Sequence, residues 1–305
     1  MTPAPRHVQL GDAVGPYQLV RLLGRGGTSE VFEGHHAETD QRVAIKLLPT
    51  DLLWDPKVED YAARFREEAR VINRIRHPGV VQVLDLGALP DGRAYLVMEL
   101  LAGVSLRQRL RERGAHPADE VLALLRQLAA ALAVVHEAGI LHRDLKPENV
   151  MLTPADGDGG DAEQAKILDF GLARLLDAPE RLTTEGRIMG TPAYMAPEQC
   201  LGEAASDRTD VYALGVLGYE LVAGAPPFRG PWQLLLEMHL TLPPPPLTSR
   251  APGVPRGLAD LIAMMLAKTP GDRPSMADVL HRIETLRGGP PAPRGFFARL
   301  RRLTG

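Results

Sequence analysis

The chain has 305 residues, 45% hydrophobic and 24% charged, with a formal net charge of −3. That length accommodates two lobes or two small domains, and the charge supplies no global attraction to nucleic acid or to an anionic membrane. A single cysteine, Cys200, excludes an internal disulfide framework; no apolar run approaches a membrane span and Met1–Gln9 lacks the apolar core of a secretory signal, so a cytoplasmic protein is expected.

Residues 1–16 read as a polar lead-in. Segments of β type follow at Tyr17–Leu23, Glu30–Gly34 and Arg42–Leu48, with turn residues between them. Tyr61, Phe65, Ile72 and Ile75 then recur at helical spacing, with position 68 in the same stripe. Val80–Leu86 and Ala94–Glu99 return to β type. The second half is mainly helical. Val121, Leu124, Leu125, Leu128, Leu132 and Val135 form one apolar face, stopped at Gly139. Val211–Val222 is apolar nearly all round, as a buried helix requires, with Asp210 expected to cap it and Gly224 to end it. Two further helices are expected at Leu258–Leu266 and Met276–Leu286, the latter opened by a capping box of Ser275 and Asp278. Thr153–Ala165 is acidic and Gly-rich and reads as a mobile hairpin loop. Leu242–Pro255, with its run Pro243–Pro246, reads as an extended surface connection.

Three segments carry chemistry. Phosphoryl transfer from a nucleotide needs a carboxylate to orient the attacking hydroxyl, oxygen ligands for a magnesium ion, and a fixed cation on the phosphates. Residues 142–149 read His-Arg-Asp-Leu-Lys-Pro-Glu-Asn, and Asp169-Phe170-Gly171 follows; these supply the first two. Val43-Ala44-Ile45-Lys46 supplies the third. Upstream, Leu23-Gly24-Arg25-Gly26-Gly27-Thr28-Ser29-Glu30-Val31 is a Gly-rich turn between two strands, where backbone N–H groups can approach phosphates closely. A lysine in an apolar strand needs a carboxylate partner. Glu67 and Glu68 are the candidates, and Glu68 is chosen because it lies in the inward stripe of the following helix, about 100° from Glu67.

In this order the segments match the protein-kinase signature set. Over roughly residues 17–285 the chain resembles a serine/threonine protein kinase of the bacterial, eukaryotic-like type. The resemblance implies an α+β, two-lobed protein-kinase fold: a small β-rich lobe with one helix over 17–100, a large mainly helical lobe over 101–285, and ATP in the cleft between them. A basic tail covers 286–305. The resemblance departs from the glycine pattern at Ser29, a mild change because serine is small.

Residue roles follow from the same resemblance. Asp144 would orient the substrate hydroxyl and accept its proton, and Lys146 would offset charge on the transferred phosphate. Asn149 and Asp169 would hold magnesium, with manganese as the alternative. Residues 23–31, Ala44, Lys46, Glu99 and Leu101 would bind ATP, with Val31 and Ala44 against adenine and Met98 as the gatekeeper. His142 and Phe170 would stack with Ile72 and Val83 in an apolar column, so His142 is not a general base. Asp210 would anchor the catalytic-loop backbone, and Arg273 would pair with Glu198 of Ala196-Pro197-Glu198.

Asp169–Glu198 is expected to be an activation segment, with Thr183 or Thr184 autophosphorylated in trans within a homodimer and the phosphate clamped by Arg143. Thr191 would shape the substrate site. The tail carries Phe296, Phe297, Leu300 and Leu303 among arginines, a pattern for weak contact with a membrane or a partner. Protein substrates are expected, and nucleic acid is not. The rival from another class is a nucleotide-binding scaffold without turnover, whose usual sign is loss of residues equivalent to Lys46, Asp144, Asn149 or Asp169; all are present.

Overall fold

The computed structural model describes residues 8–25, 29–47, 71–91, 93–155, 163–170 and 192–288. The chain divides into two compact units, Met1–Arg74 with Val81–Ala102, and Ile75–Val80 with Gly103–Gly305.

The first unit is built on one antiparallel sheet. Its strands are β1 (Ala13–Val14), β2 (Tyr17–Arg25), β3 (Glu30–His36), β4 (Arg42–Leu47), β5 (Val83–Ala88) and β6 (Ala94–Glu99), ordered β1-β2-β3-β4-β6-β5. Residues 13–14, within the stretch read as lead-in, thus pair with β2. Successive side chains of a strand alternate between faces, and here the two faces differ in character. Leu19, Phe32, Val43, Ile45, Leu47, Tyr95 and Val97 pack together as the core. In register on the other face, Lys46 lies opposite Val31 and Leu96, and Ala44 lies opposite Met98 and Glu33. Glu33 is buried, and Arg21 and Arg42 clamp its two oxygens at 2.7 and 2.6 Å. Residues 71–74 are helical.

The second unit carries a small sheet, β7 (Val104–Ser105), β8 (Val150–Pro154) and β9 (Glu163–Ile167), in that order. β8 and β9 pair directly, so Thr153, Pro154 and Glu163–Ala165, read as loop from the sequence, are ladder residues. Its helices are α1 (Leu106–Arg113), α2 (Ala118–Glu137), α3 (Pro197–Cys200), α4 (Asp207–Ala223), α5 (Trp232–Thr241), α6 (Leu247–Arg250), α7 (Arg256–Met265) and α8 (Met276–Leu286). α4 is the buried axis: every residue from Thr209 to Val222 is buried. Gly224 ends it at φ 70°, its N–H bonding to the Glu220 carbonyl, as a left-handed cap favours glycine. Its N-cap is Ser206, whose Oγ accepts from Arg208 N at 3.2 Å, while Thr209 Oγ1 accepts from Ser206 N at 3.0 Å. Asp210, expected to be that cap, instead lies inside the helix and turns its carboxylate elsewhere. The segment Leu242–Pro255, expected to be extended throughout, forms the short helix α6. Among the described residues no helix is long and apolar enough to cross a membrane.

Candidate active site

Two non-glycine residues of the second unit with left-handed backbone flank the loop of interest: Arg143 at φ 67° and Asp169 at φ 60°. Such conformations cost about 1–3 kcal/mol each and persist only where the surroundings enforce them. The enforcing group beneath Arg143 is Asp210. Its Oδ2 accepts from His142 N at 2.9 Å and its Oδ1 accepts from Arg143 N at 2.8 Å. His136, in the last turn of α2, adds Nε2 at 2.7 Å to Oδ2. Burial alone would raise the Asp210 carboxyl, but these hydrogen bonds hold it below its ordinary range. From the other side, Gln199 Nε2 donates to the Arg143 carbonyl at 2.8 Å. Sequence reasoning missed both His136 and Gln199. The only signal for His136 was a polar residue closing an apolar helix, and Gln199 carried none.

On this platform Asp144, Lys146 and Asn149 converge. Lys146 Nζ meets Asp144 Oδ2 at 2.6 Å, and Asn149 Nδ2 donates to the Asp144 carbonyl at 2.8 Å and to Oδ2 at 3.2 Å. Both side-chain contacts fall on Oδ2, so Oδ1 is the oxygen left to receive a proton. Both Asn149 bonds use Nδ2, which leaves its Oδ1, a hard ligand suited to magnesium. The turn Pro147–Asn149 is closed by Asn149 N to the Lys146 carbonyl at 2.9 Å, and Leu168 N reaches the Asn149 carbonyl at 2.8 Å. Asp169 follows directly, so the chain brings both expected metal ligands to one turn and its neighbour.

His142 is fully buried. Its Nε2 donates to the Leu168 carbonyl at 2.8 Å, and its Nδ1 accepts from Asp144 N at 3.2 Å. Both ring nitrogens are engaged with backbone, and the ring meets Phe170 edge-on at 5.0 Å. That geometry suits a spacer and not a proton carrier.

Arg273 is buried and places all five of its N–H donors. Nη1 and Nη2 grip the two Glu198 oxygens at 2.7 and 2.8 Å. The remaining donors reach the carbonyls of Ala267, Arg208 and Lys268. Thr209 Oγ1 also donates to Glu198 at 2.7 Å. Burial would raise the Glu198 carboxyl, but these bonds outweigh it and lower it.

In the first unit, Lys46 is buried on β4 beside Val31 and across from Leu96. Leu23, Gly24 and Arg25 end β2, and Arg25 Nε donates to Glu30 Oε1 at 2.7 Å, joining the two strands before the turn. Ser29 precedes β3, which Glu30 and Val31 open. Glu99 N donates to the Gln82 carbonyl at 3.0 Å, fixing the end of β6 from which Leu101 follows. Gly26, Gly27, Thr28, Glu68, Thr183, Thr184, Thr191 and the tail from 289 onward lie outside the described residues.

Residues 17–283 match the protein kinase domain family. The chain is 42% identical over 264 residues to serine/threonine-protein kinase PknA of Mycobacterium tuberculosis, covering 85% of this chain and 58% of that protein. It is 42% identical over 265 residues to serine/threonine-protein kinase Pkn1 of Myxococcus xanthus, covering 87% of this chain and 37% of that protein. The chain therefore spans about half or less of the length of these curated relatives. The crystal structure of the Mycobacterium tuberculosis PknI kinase domain is similar with a TM-score of 0.72 at 28% identity, covering 91% of this chain and 99% of that one.

Proposed function

The chain belongs to the protein kinase domain family, with the protein kinase fold and bacterial serine/threonine kinases as relatives, and from that premise we propose that it transfers the γ-phosphate of ATP to serine and threonine hydroxyls of proteins. The observation that carries this reading is the convergence of Lys146 and Asn149 on one oxygen of Asp144. Oδ1 of Asp144 takes the proton of the incoming hydroxyl. The hydroxyl oxygen forms a bond to the γ-phosphorus as the bond to the β–γ bridging oxygen breaks, and ADP leaves with that electron pair. Lys146 offsets charge on the transferred group. Lys46 steadies the phosphates with Glu68 as its partner, while residues 23–31, Ala44, Glu99 and Leu101 hold the nucleotide.

The family uses ATP with a divalent metal. For this chain we assign magnesium, with manganese as the alternative, to Asn149 and Asp169, whose oxygen donors fit a hard cation. When bound, the ion would neutralise charge on the phosphates. ATP as donor suits the cytoplasm.

Regulation by autophosphorylation at Thr183 or Thr184 is supported by Arg143, whose buried Nε has no hydrogen-bond partner among the described residues. A phosphate there would meet the guanidinium of a residue whose backbone N–H and carbonyl are already fixed by Asp210 and Gln199. Thr191 would shape the substrate site. Transfer in trans implies a transient homodimer. The basic segment 286–305 would add weak contact with an anionic membrane or a partner; liposome binding unchanged on deletion of 290–305 contradicts the membrane arm.

Steady-state assay of Asp144→Asn tests the proposal. A proton acceptor of this kind contributes about 100- to 10,000-fold, so kcat should fall by that range with the KM for ATP little changed. An Asn variant as fast as the parent would remove Asp144 from the reaction.

A further inference from the structure

Gln199 is the third residue of the short helix α3, directly after the Ala-Pro-Glu segment. Its Oε1 accepts from Ala196 N at 3.0 Å, which satisfies a backbone donor at the helix start. A glutamate would serve that bond equally well. The other end of the carboxamide is more demanding. Nε2 donates to the Arg143 carbonyl at 2.8 Å, a bond that a carboxylate could not make. One side chain thus carries an unbroken run of hydrogen bonds from the Ala196 backbone to the Arg143 backbone.

The Arg143 carbonyl belongs to the same peptide plane as Asp144 N. That N–H donates to His142 Nδ1 at 3.2 Å. The plane is therefore held at both edges, by His142 from within the loop and by Gln199 from α3. The plane before it is fixed separately, through Arg143 N on Asp210 Oδ1. Arg143 joins the two planes at φ 67°. A turn of the second plane about the Arg143 Cα would relax that left-handed conformation and carry Asp144 with it. The far end of the tie is a firm anchor. Ala196 is fully buried, and Glu198, beside Gln199, is gripped by Arg273 and Thr209.

We propose that Gln199 is a positioning residue for phosphoryl transfer, whose carboxamide locks the peptide plane between Arg143 and Asp144 to the Ala-Pro-Glu segment and so aligns the proton acceptor when that segment is seated. The inference rests on the kinase reading above. Gln199 acts through the backbone and touches neither nucleotide nor peptide. Its loss should therefore slow the chemical step and leave ATP binding alone, because a small misalignment of a reacting group costs rate rather than affinity.

The test compares Gln199→Leu and Gln199→Glu with the parent in steady-state transfer to a generic protein substrate. At about pH 8 both variants should lose about tenfold or more in kcat, with the KM for ATP within about twofold. The two should then part as the pH falls. A carboxyl facing a carbonyl titrates above its ordinary value of about 4.3. Once protonated, its O–H can donate to the Arg143 carbonyl while its other oxygen accepts from Ala196 N. The kcat of Gln199→Glu relative to the parent should therefore rise about threefold or more between about pH 8 and pH 5.5, and that of Gln199→Leu should stay flat. A role in stability alone would give both variants the same flat ratio. Amide exchange reads the lock without turnover: Asp144 N–H should exchange about tenfold faster in Gln199→Leu, with the α2 amides unchanged. Should Gln199→Leu fail to fold, Gln199→Glu at high and low pH serves for both readouts. A kcat within twofold of the parent, equal pH dependence in the two variants, or unchanged exchange at Asp144 overturns the proposal. Faster exchange in the variant, with no transfer by the parent to any protein, would overturn the kinase reading while the lock on Asp144 stands.

Discussion

Arg273 and Glu198 concentrate more risk in two side chains than any other pair described in the second unit. Each is sealed from water; Arg273 is satisfied by Glu198 and nearby backbone carbonyls, and Glu198 by Arg273 and the Thr209 hydroxyl. Removing one half leaves an uncompensated buried charge, which costs about 3–5 kcal/mol. Arg273→Ala should therefore lower unfolding free energy by about that amount in urea titration, and a loss under 1 kcal/mol would contradict the reading. His239 offers a pH test. It is buried against Tyr212, whose hydroxyl lies 2.9 Å from Nδ1. Burial, then the nearby Lys268 charge, push it down to about 4 from 6.5. The folded state binds that proton more weakly than the unfolded chain does. Stability is thus full above about 6.5 and falls as pH drops from there toward 4, by on the order of 1–2 kcal/mol at pH 5. His239→Asn should flatten that slope in thermal melts at pH 7 and pH 5.

Elements with strong local chemistry were legible in the sequence, and those set by tertiary contact were not. Met276–Leu286 was read to the residue, because its capping box is local: Ser275 Oγ accepts from Asp278 N at 3.1 Å and Asp278 Oδ2 accepts from Ser275 N at 3.0 Å. Ser275→Ala should cost about 1 kcal/mol, visible as a lower midpoint in denaturant with unchanged slope. Ala94–Glu99 was legible for a similar reason, an apolar run bounded by turn residues. By contrast α1 buries only Leu106 and Leu110, too few for a stripe. Asp210 looked like a cap because it precedes an apolar run, yet the helix begins a turn earlier at Ser206 and the carboxylate serves the His142–Arg143 backbone. In the candidate site, Asp144, Lys146 and Asn149 were found together since they are neighbours in sequence. His136 and Gln199 were not, since each makes its bond across the fold, His136 to Asp210 74 residues away and Gln199 to Arg143 56 residues away. Gly103 is a last case. At φ 153° its missing Cβ would meet the Leu152 carbonyl at 2.0 Å, a constraint visible only once β7 and β8 pair.

At the scale of the molecule, the proposed reaction and its control use one loop. Arg143 precedes Asp144, and Asp210 and Gln199 fix its backbone from two sides. A phosphate on Thr183 or Thr184 that engaged Arg143 would act on the residue next to the proposed proton acceptor. The Thr183→Ala/Thr184→Ala double variant should therefore lose at least tenfold in kcat for a protein substrate, and full activity would sink the switch. The chain's central chemistry is tested most directly by supplying ATP labelled at the γ- or the α-phosphate, with magnesium, and identifying the labelled amino acids. Label from the γ-position alone, on serine or threonine, and lost in Asp144→Asn, is the result this structure predicts. Nucleotide binding with no label on any serine or threonine would contradict it and leave a scaffold that holds ATP without turning it over.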